Sequence, residues 1–466
     1  MNHDWHLPRR LGIETEPSPA SNGAVKGPDA ALEPVWETLV SSANIQTAWE
    51  RVRRNAGAPG VDGVTVRDLE ASFPWEWQQV NEALHAGCWT PKPARRVSIP
   101  KPSGGWRRLG IPTVLDRVLH QALAQVLTPR WEARFSPRSF GFRKGRGAEN
   151  ALNCLANEAL RQSSPLVWHL DIRDFFDRVP RLQAQRAVSR VCADERLQRL
   201  VSAILSAGSI DGTSFVPTPC GLPQGSPLSP LLANAVLHPL DLWMTEQGLP
   251  FIRYADDIAI LLPSALHLAD CRAFISEKLL RLGLELNETK CELTPLSEAS
   301  ILGFCLYSED GRWRRRISER SWQAFEQERR RRGTWAYAFD DVEKQGTAHD
   351  YAQSWASYFS LSECPQDHAR LADLRKQTNH GPTSARVRMG YDGRHSGRTR
   401  PLHRTAAPLE QPEPADDWRS SFSTTAWRCW LARLFTRRWI SFGLDFGRGL
   451  RAIRVRIGPL NLRFRL

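Results

Sequence analysis

Apolar positions along this chain follow two periods, and the switches between them mark out its parts. In Ala151–Arg161 and Leu268–Leu282 apolar residues recur every three or four positions, which predicts amphipathic helices. Leu166–Leu170 and Ile258–Leu262 are short apolar runs, the pattern of strands buried on both faces. This mixture of helix and strand extends from about residue 35 to 310. From 311 to 377 the pattern turns helical and basic, with the run Arg329–Arg332 and an amphipathic segment at Tyr351–Leu361. At the far end the period falls to two. Ile453, Val455 and Ile457 alternate with Arg454 and Arg456; beyond Gly458 and Pro459, Leu460, Leu462, Phe464 and Leu466 alternate with Asn461, Arg463 and Arg465. That predicts a β-hairpin with one apolar and one arginine-rich face. Ahead of it, Trp427–Phe442 predicts a basic amphipathic helix.

Two stretches carry no such periodicity. Residues 1–34 mix Pro, Gly, Ser and Glu and predict a disordered tail, and residues 378–417 are rich in Gly, Pro, Arg and Ser and predict a flexible linker. The expected units are therefore a mixed body (35–310), a helical region (311–377) and a C-terminal module (418–466), in a chain of 466 residues. The C-terminal module holds eleven arginines against one acid, Asp445. A composition of 41% hydrophobic and 24% charged residues is that of a globular protein. No apolar run is long enough to span a bilayer, so no integral membrane association and a cytoplasmic location, compatible with the nucleoid, are expected. Nine cysteines without a CxxC pair read as reduced, structural thiols. Net charge +13 points to a polyanionic partner, nucleic acid or an anionic surface.

Candidate chemistry lies in the carboxylates. The stretch FIRYADDIAILL places Asp256 and Asp257 between two apolar runs, the outline of a hairpin whose turn presents adjacent acids. An acid pair in a turn is, by itself, also what a solvated turn looks like. A third acid changes this: in LVWHLDIRDFF, Asp171 follows another buried-looking strand. Carboxylates converging from separate strands are what a two-metal site requires, and Mg2+, with its preference for oxygen ligands, suits them.

Eight blocks in order then narrow the reading: GVDGVT (60–65), IPKPSGGWRRLGIP (99–112), FSPRSFGFRKGRGAENAL (135–152), DIRDFF (171–176), GLPQGSPLSPLLAN (221–234), YADD (254–257), LNETK (286–290) and ILGF (301–304). Together they resemble the blocks of bacterial reverse transcriptases of the group II intron and group II-like branch. The resemblance implies an α+β right-hand polymerase fold: fingers and palm, a helical thumb or maturase-like region, and here a small basic C-terminal module. It implies that Asp171, Asp256 and Asp257 hold two Mg2+ ions, with Mn2+ as a substitute and the Ile172 carbonyl as a further ligand. Lys101 and Arg107 match the residues that hold the triphosphate. Phe176 matches the bulky residue that excludes a 2′-hydroxyl, and Gln224 one that lines the nucleotide pocket. Lys290 matches a lysine that protonates pyrophosphate. Arg143, Lys144 and Arg146 match the template path, and Gly303 a turn supporting the primer. Trp355, Tyr358 and Phe359 match an aromatic helix of the thumb and are expected in the core.

The implied activity is RNA-directed DNA polymerase, using dNTPs, an RNA template and a DNA or RNA primer, with a dedicated intron or non-coding RNA as a further partner. The residues after 377 show no Cys-rich or His-rich endonuclease motif. Two other classes stay in view. A non-catalytic RNA-binding splicing factor would have lost the acids, which are all present; an RNA-dependent RNA polymerase is disfavoured by Phe176.

Overall fold

The computed structural model describes residues 35–100, 106–162, 165–339, 342–379, 440–446, 450–457 and 460–465. Its strands, in chain order, are β1 (Ala94–Pro100), β2 (Trp106–Ile111), β3 (Leu166–Leu170), β4 (Ser209–Asp211), β5 (Ser214–Val216), β6 (Phe251–Tyr254), β7 (Asp257–Leu262), β8 (Glu292–Pro295), β9 (Phe304–Glu309), β10 (Arg312–Ile317), β11 (Ile440–Phe446), β12 (Leu450–Ile457) and β13 (Leu460–Arg465). They form sheets in the orders β2-β1-β4-β5, β6-β7-β3-β8, β10-β9 and β11-β12-β13.

The sheet β6-β7-β3-β8 is antiparallel throughout, with Leu166 opposite Leu262 and Leu170 opposite Ile258. Alternation along the strands divides their side chains between two cores. Trp168, Leu170, Phe251, Ile258, Ile260 and Leu262 enter one core, shared with the helices Val114–Glu132, Ser229–Glu246 and Leu268–Arg281. Val167, Ile252, Tyr254, Ala259 and Leu261 enter the other, shared with the helix Ala148–Ala159 and with residues 301–374. Burial on both faces is why β3, apart from His169, and β7, after Asp257, read as apolar runs instead of alternating.

Edge strand β6 is covered. The Arg253 N–H donates to the Arg138 carbonyl at 2.9 Å, and the Phe140 N–H donates to the Arg253 carbonyl at 2.9 Å. The segment 138–140 thus takes the edge that would otherwise be open.

The region after 310 differs from its expected all-helical form. Residues 312–317 are strand β10, paired with β9 across Asp310 and Gly311, both at positive φ. The boundary expected at 310/311 therefore falls inside a hairpin. The three helices that follow are Glu319–Phe339, Val342–Phe359 and Pro365–Asn379. Trp355 stands 4.3 Å from Phe325 and 4.2 Å from Phe359 between ring centroids. Trp355, Tyr358 and Phe359 are all buried. The Asp367 carboxylate accepts from the Ile317 N–H at 2.6 Å, the Ser362 hydroxyl at 2.6 Å and the Trp322 indole N–H at 3.2 Å, tying the last helix to β10.

In the C-terminal sheet β12 pairs antiparallel with β13, Ile457 opposite Leu460, and β11 adds a third strand with Ile440 opposite Ile457. The helix expected over 427–442 is corrected at its end, since residues 440–442 belong to β11. Residues 427–439, the tail 1–34 and the linker from residue 380 onward lie outside the described residues. Eight of the cysteines are described, and all are free thiols.

Candidate active site

β6 and β7 are joined by a two-residue turn, Ala255 and Asp256, with Tyr254 opposite Asp257. Ala255 sits at φ +60°, in the left-handed region that L-residues adopt only when the surroundings hold them there. Asp257 opens β7. One step beyond the Leu170 and Ile258 pair, Asp171 leaves β3 at the same end of the sheet, so all three acids meet at one edge. Asp171 is buried, while Asp256 and Asp257 are half-exposed.

Asp171 is gripped by LNETK. The Asn287 N–H donates to the Asp171 carbonyl at 2.8 Å, and the Asn287 side-chain amide donates to the Asp171 carboxylate at 3.0 Å. The Lys290 Nζ lies 3.6 Å from the same carboxylate oxygen. Ile172 is buried and bridges to Leu286, continuing the β3 edge past its last ladder pair. The His169 Nε2 stands 3.6 Å from the Asp257 carboxylate. Burial first, and then the Asp257 charge, raise the Tyr254 phenol above its ordinary range, so it stays protonated beside the acids.

A second group of expected residues gathers around Phe176. Phe176 is half-buried and edge-on to Phe142, 6.2 Å between centroids, and to Phe175 at 5.4 Å. Its carbonyl accepts from the Leu222 N–H at 2.7 Å. The Gln224 amide donates to the Asp177 carboxylate at 3.0 Å, and its carbonyl accepts from the Gly110 N–H at 3.0 Å. Gly225, at φ +139°, passes so close to β2 that a Cβ would lie 2.5 Å from the Gly110 oxygen. The turn at 221–225 is therefore wedged between the Phe176 segment and β2, the strand carrying half-buried Arg107. Lys101 lies outside the described residues.

The family match covers this ground. Residues 99–306 match the family model described as Reverse transcriptase (RNA-dependent DNA polymerase). The chain carries a reverse-transcriptase domain. Protein YkfC of Escherichia coli K12 is 34% identical over 220 residues, 47% of this chain and 56% of its own length. Group II intron-encoded protein LtrA of Lactococcus lactis is 29% identical over 209 residues, 44% of this chain and 34% of its own. The Retron Ec86 reverse transcriptase of Escherichia coli is 30% identical over 179 residues, 37% of this chain and 51% of its own. The chain thus spans about half the length of YkfC and about a third of LtrA.

Within the reverse-transcriptase domain, one expected residue is placed against its expectation. Arg143, matched to the template path, is buried: its guanidinium donates to Glu132 at 3.0 Å and to the Ser136 and Ser139 carbonyls, both at 2.7 Å, and lies over the Phe135 ring. A guanidinium so engaged ties its own loop together. Arg146 is partly spent in the same way, donating to the Pro137 carbonyl at 2.8 Å and covering the Phe140 ring. Lys144, between them, is exposed. Gly303, at φ +85°, forms the turn into β9, where its carbonyl accepts from the Ser318 N–H and the Ser321 hydroxyl, both at 3.0 Å. Next to it, the Tyr358 hydroxyl donates to the Leu302 carbonyl at 2.9 Å, joining this turn to the helical region.

Among the described residues no three His, Cys, Asp or Glu side chains already stand as a metal cage. The Asp171 carboxylate is turned to Asn287 and Lys290, and Asp257 faces His169. Three carboxylates at one sheet edge are nonetheless a hard-oxygen donor set of the kind Mg2+ completes with water and phosphate oxygens. Sequence reasoning assigned no role to Asn287, Gly141, Asn234, Asp241 or Arg253. One signal was available for the last of these: a lone arginine inside the apolar run FIRY, directly before the acid pair.

Proposed function

We propose that this chain is an RNA-directed DNA polymerase that adds deoxynucleotides to a primer 3′ end on an RNA template. The observation that carries this reading is the β3, β6 and β7 register, which brings Asp171, Asp256 and Asp257 to one edge of the sheet within the domain matched by the family model. In this reading Asp171, Asp256 and Asp257, with the Ile172 carbonyl, are the ligands of two Mg2+ ions. When bound, those ions supply activation of the primer hydroxyl and neutralise charge on the leaving phosphate. Phe176 packs beneath the sugar and rejects a 2′-hydroxyl. Arg107 and Lys101 grip the triphosphate, and the Gln224 segment shapes the pocket between β2 and Phe176. Lys290, beside the Asp171 carboxylate, is placed to give a proton to pyrophosphate.

The net charge of +13 supports a nucleic-acid partner. The likeness to a group II intron-encoded protein supports an intron RNA, or another dedicated RNA, as that partner. The test is primer extension on an RNA template with dNTPs and, separately, with rNTPs. Extension with dNTPs that disappears in Asp256→Asn is the expected result. Efficient extension with rNTPs alone would make the protein an RNA polymerase, and none with either would leave it an RNA-binding factor.

A further inference from the structure

Beneath the acid-bearing turn lies an ion pair sealed from solvent: Arg253 and Asp241 are both wholly buried. The Arg253 Nε donates to one Asp241 oxygen at 2.6 Å and its Nη2 to the other at 2.5 Å. Its remaining terminal nitrogen, Nη1, donates both to the Asn234 side-chain oxygen at 2.7 Å and to the Ala255 carbonyl at 3.0 Å. Asn234 in turn donates to the Gly141 carbonyl at 2.7 Å. Gly141 closes the circuit, because a Cβ there would lie 2.3 Å from the Ala255 nitrogen.

Every outlet of this network that is not an internal pairing ends on backbone at the turn or on the loop pressed against it. A buried ion pair is a poor source of stability compared with apolar packing, so its presence here calls for a positional reason. The turn supplies one: Ala255 is held at positive φ with no glycine to ease it. Asn234 and Asp241 lie seven residues apart on the helix Ser229–Glu246, hence on one face of it, and this helix is rigidly seated in the core.

We propose that Arg253, Asp241 and Asn234 form a positioning unit that sets the conformation of the Ala255 and Asp256 turn, and thereby the reach of Asp256 toward a divalent cation. The proposal rests on the metal-ligand role of Asp256 given above. It treats these three as positioning residues, since their contacts are to backbone and to one another. Asn234 is the point to test, because its removal leaves the charge pair intact.

The experiment uses the full chain with Asn234→Ala and, to retain side-chain shape and the contact from Arg253, Asn234→Asp. Three readouts are taken: amide hydrogen exchange, Mn2+ binding followed by electron paramagnetic resonance, and the Mg2+ dependence of extension. In the wild type, amides of 254–257 should be protected like those of β7. In the variants, exchange should rise across 251–258 while β3 and β8 keep their protection. Mn2+ affinity should weaken about tenfold or more, and kcat should fall more than the dNTP KM rises. A wild-type turn that exchanges as fast as surface loops would overturn the proposal without any variant. So would a folded variant with unchanged exchange at 251–258 and unchanged Mn2+ binding, or one whose exchange rises evenly over the whole sheet. Asp256→Asn separates the two layers: normal extension by that variant removes the metal-site reading, whereas its loss, with Asn234 variants indistinguishable from wild type, removes only the positioning unit.

Discussion

Asp171 and Asp256 stand at the same sheet edge but are held by opposite means. Asp171 is held directly, with Asn287 bonding both its carbonyl and its carboxylate and Lys290 close by. The Asp256 turn is held from behind, through the Ala255 carbonyl and the glycine packed against it, by charges wholly out of water. A direct grip fixes the carboxylate but competes with any ligand for its oxygens. A backbone grip fixes the turn without itself occupying the carboxylate oxygens. The contrast assigns different consequences to breaking each.

The largest effect expected is from the acids themselves. Asp171→Asn and Asp256→Asn should each lower extension by about a thousandfold or more with folding intact, since three carboxylates jointly offset the charge of two cations. Near-normal extension by either purified variant would end the comparison at its root. Next comes the direct grip: Asn287→Ala should cost about 10- to 100-fold in metal affinity or activity, a usual range for a partner that orients a ligand. A metal titration unchanged by Asn287→Ala would show that the Asp171 backbone pairing alone suffices. For the backbone grip, Gly141→Ala forces a methyl group against the Ala255 nitrogen and should destabilise the fold by about 1–3 kcal/mol in denaturant unfolding. A smaller loss would mean that the turn can yield.

The smallest prediction lies outside both grips and serves as their control. His120 is fully buried, with its Nδ1 at 3.0 Å from the Ser226 hydroxyl, and burial lowers its pKa to about 3. A base with a depressed folded pKa contributes stability that is present above its unfolded pKa of about 6.5 and is lost as pH falls below that value. Between about pH 7.5 and 5.5 this residue alone should cost roughly 1.4 kcal/mol. In His120→Gln that part of the acid sensitivity should vanish from the unfolding curves while metal affinity stays as in wild type. Equal pH slopes for the two proteins would show that His120 is solvated or charged in the fold.

Much of the reverse-transcriptase domain is written in local pattern. β3 coincides with its run, interrupted only by half-buried His169, and β7 begins one residue before the run expected for it, because a strand covered on both faces is apolar at most of its positions. The acids are visible for the complementary reason: charge adjoining such a run must emerge at its end. The helix at 268–281 follows its three- and four-residue spacing just as closely.

What the local pattern did not decide is where a charge points once its partner lies elsewhere in the chain. Arg143 and Lys144 are neighbours of one type in one basic loop, yet one is buried against Glu132 and the other exposed. The strand at 312–317 carries four arginines and reads as a basic helix until β9 offers its edge and Glu363 takes Arg315. The Arg253 network joins residues 12, 19 and 93 positions apart. Sequence by itself determined β3, β7, the acids and their order, since burial leaves a periodic trace in the residues that undergo it. Only the tertiary structure decided which polar groups are spent holding the site, because that depends on which distant segments the fold brings within hydrogen-bonding reach.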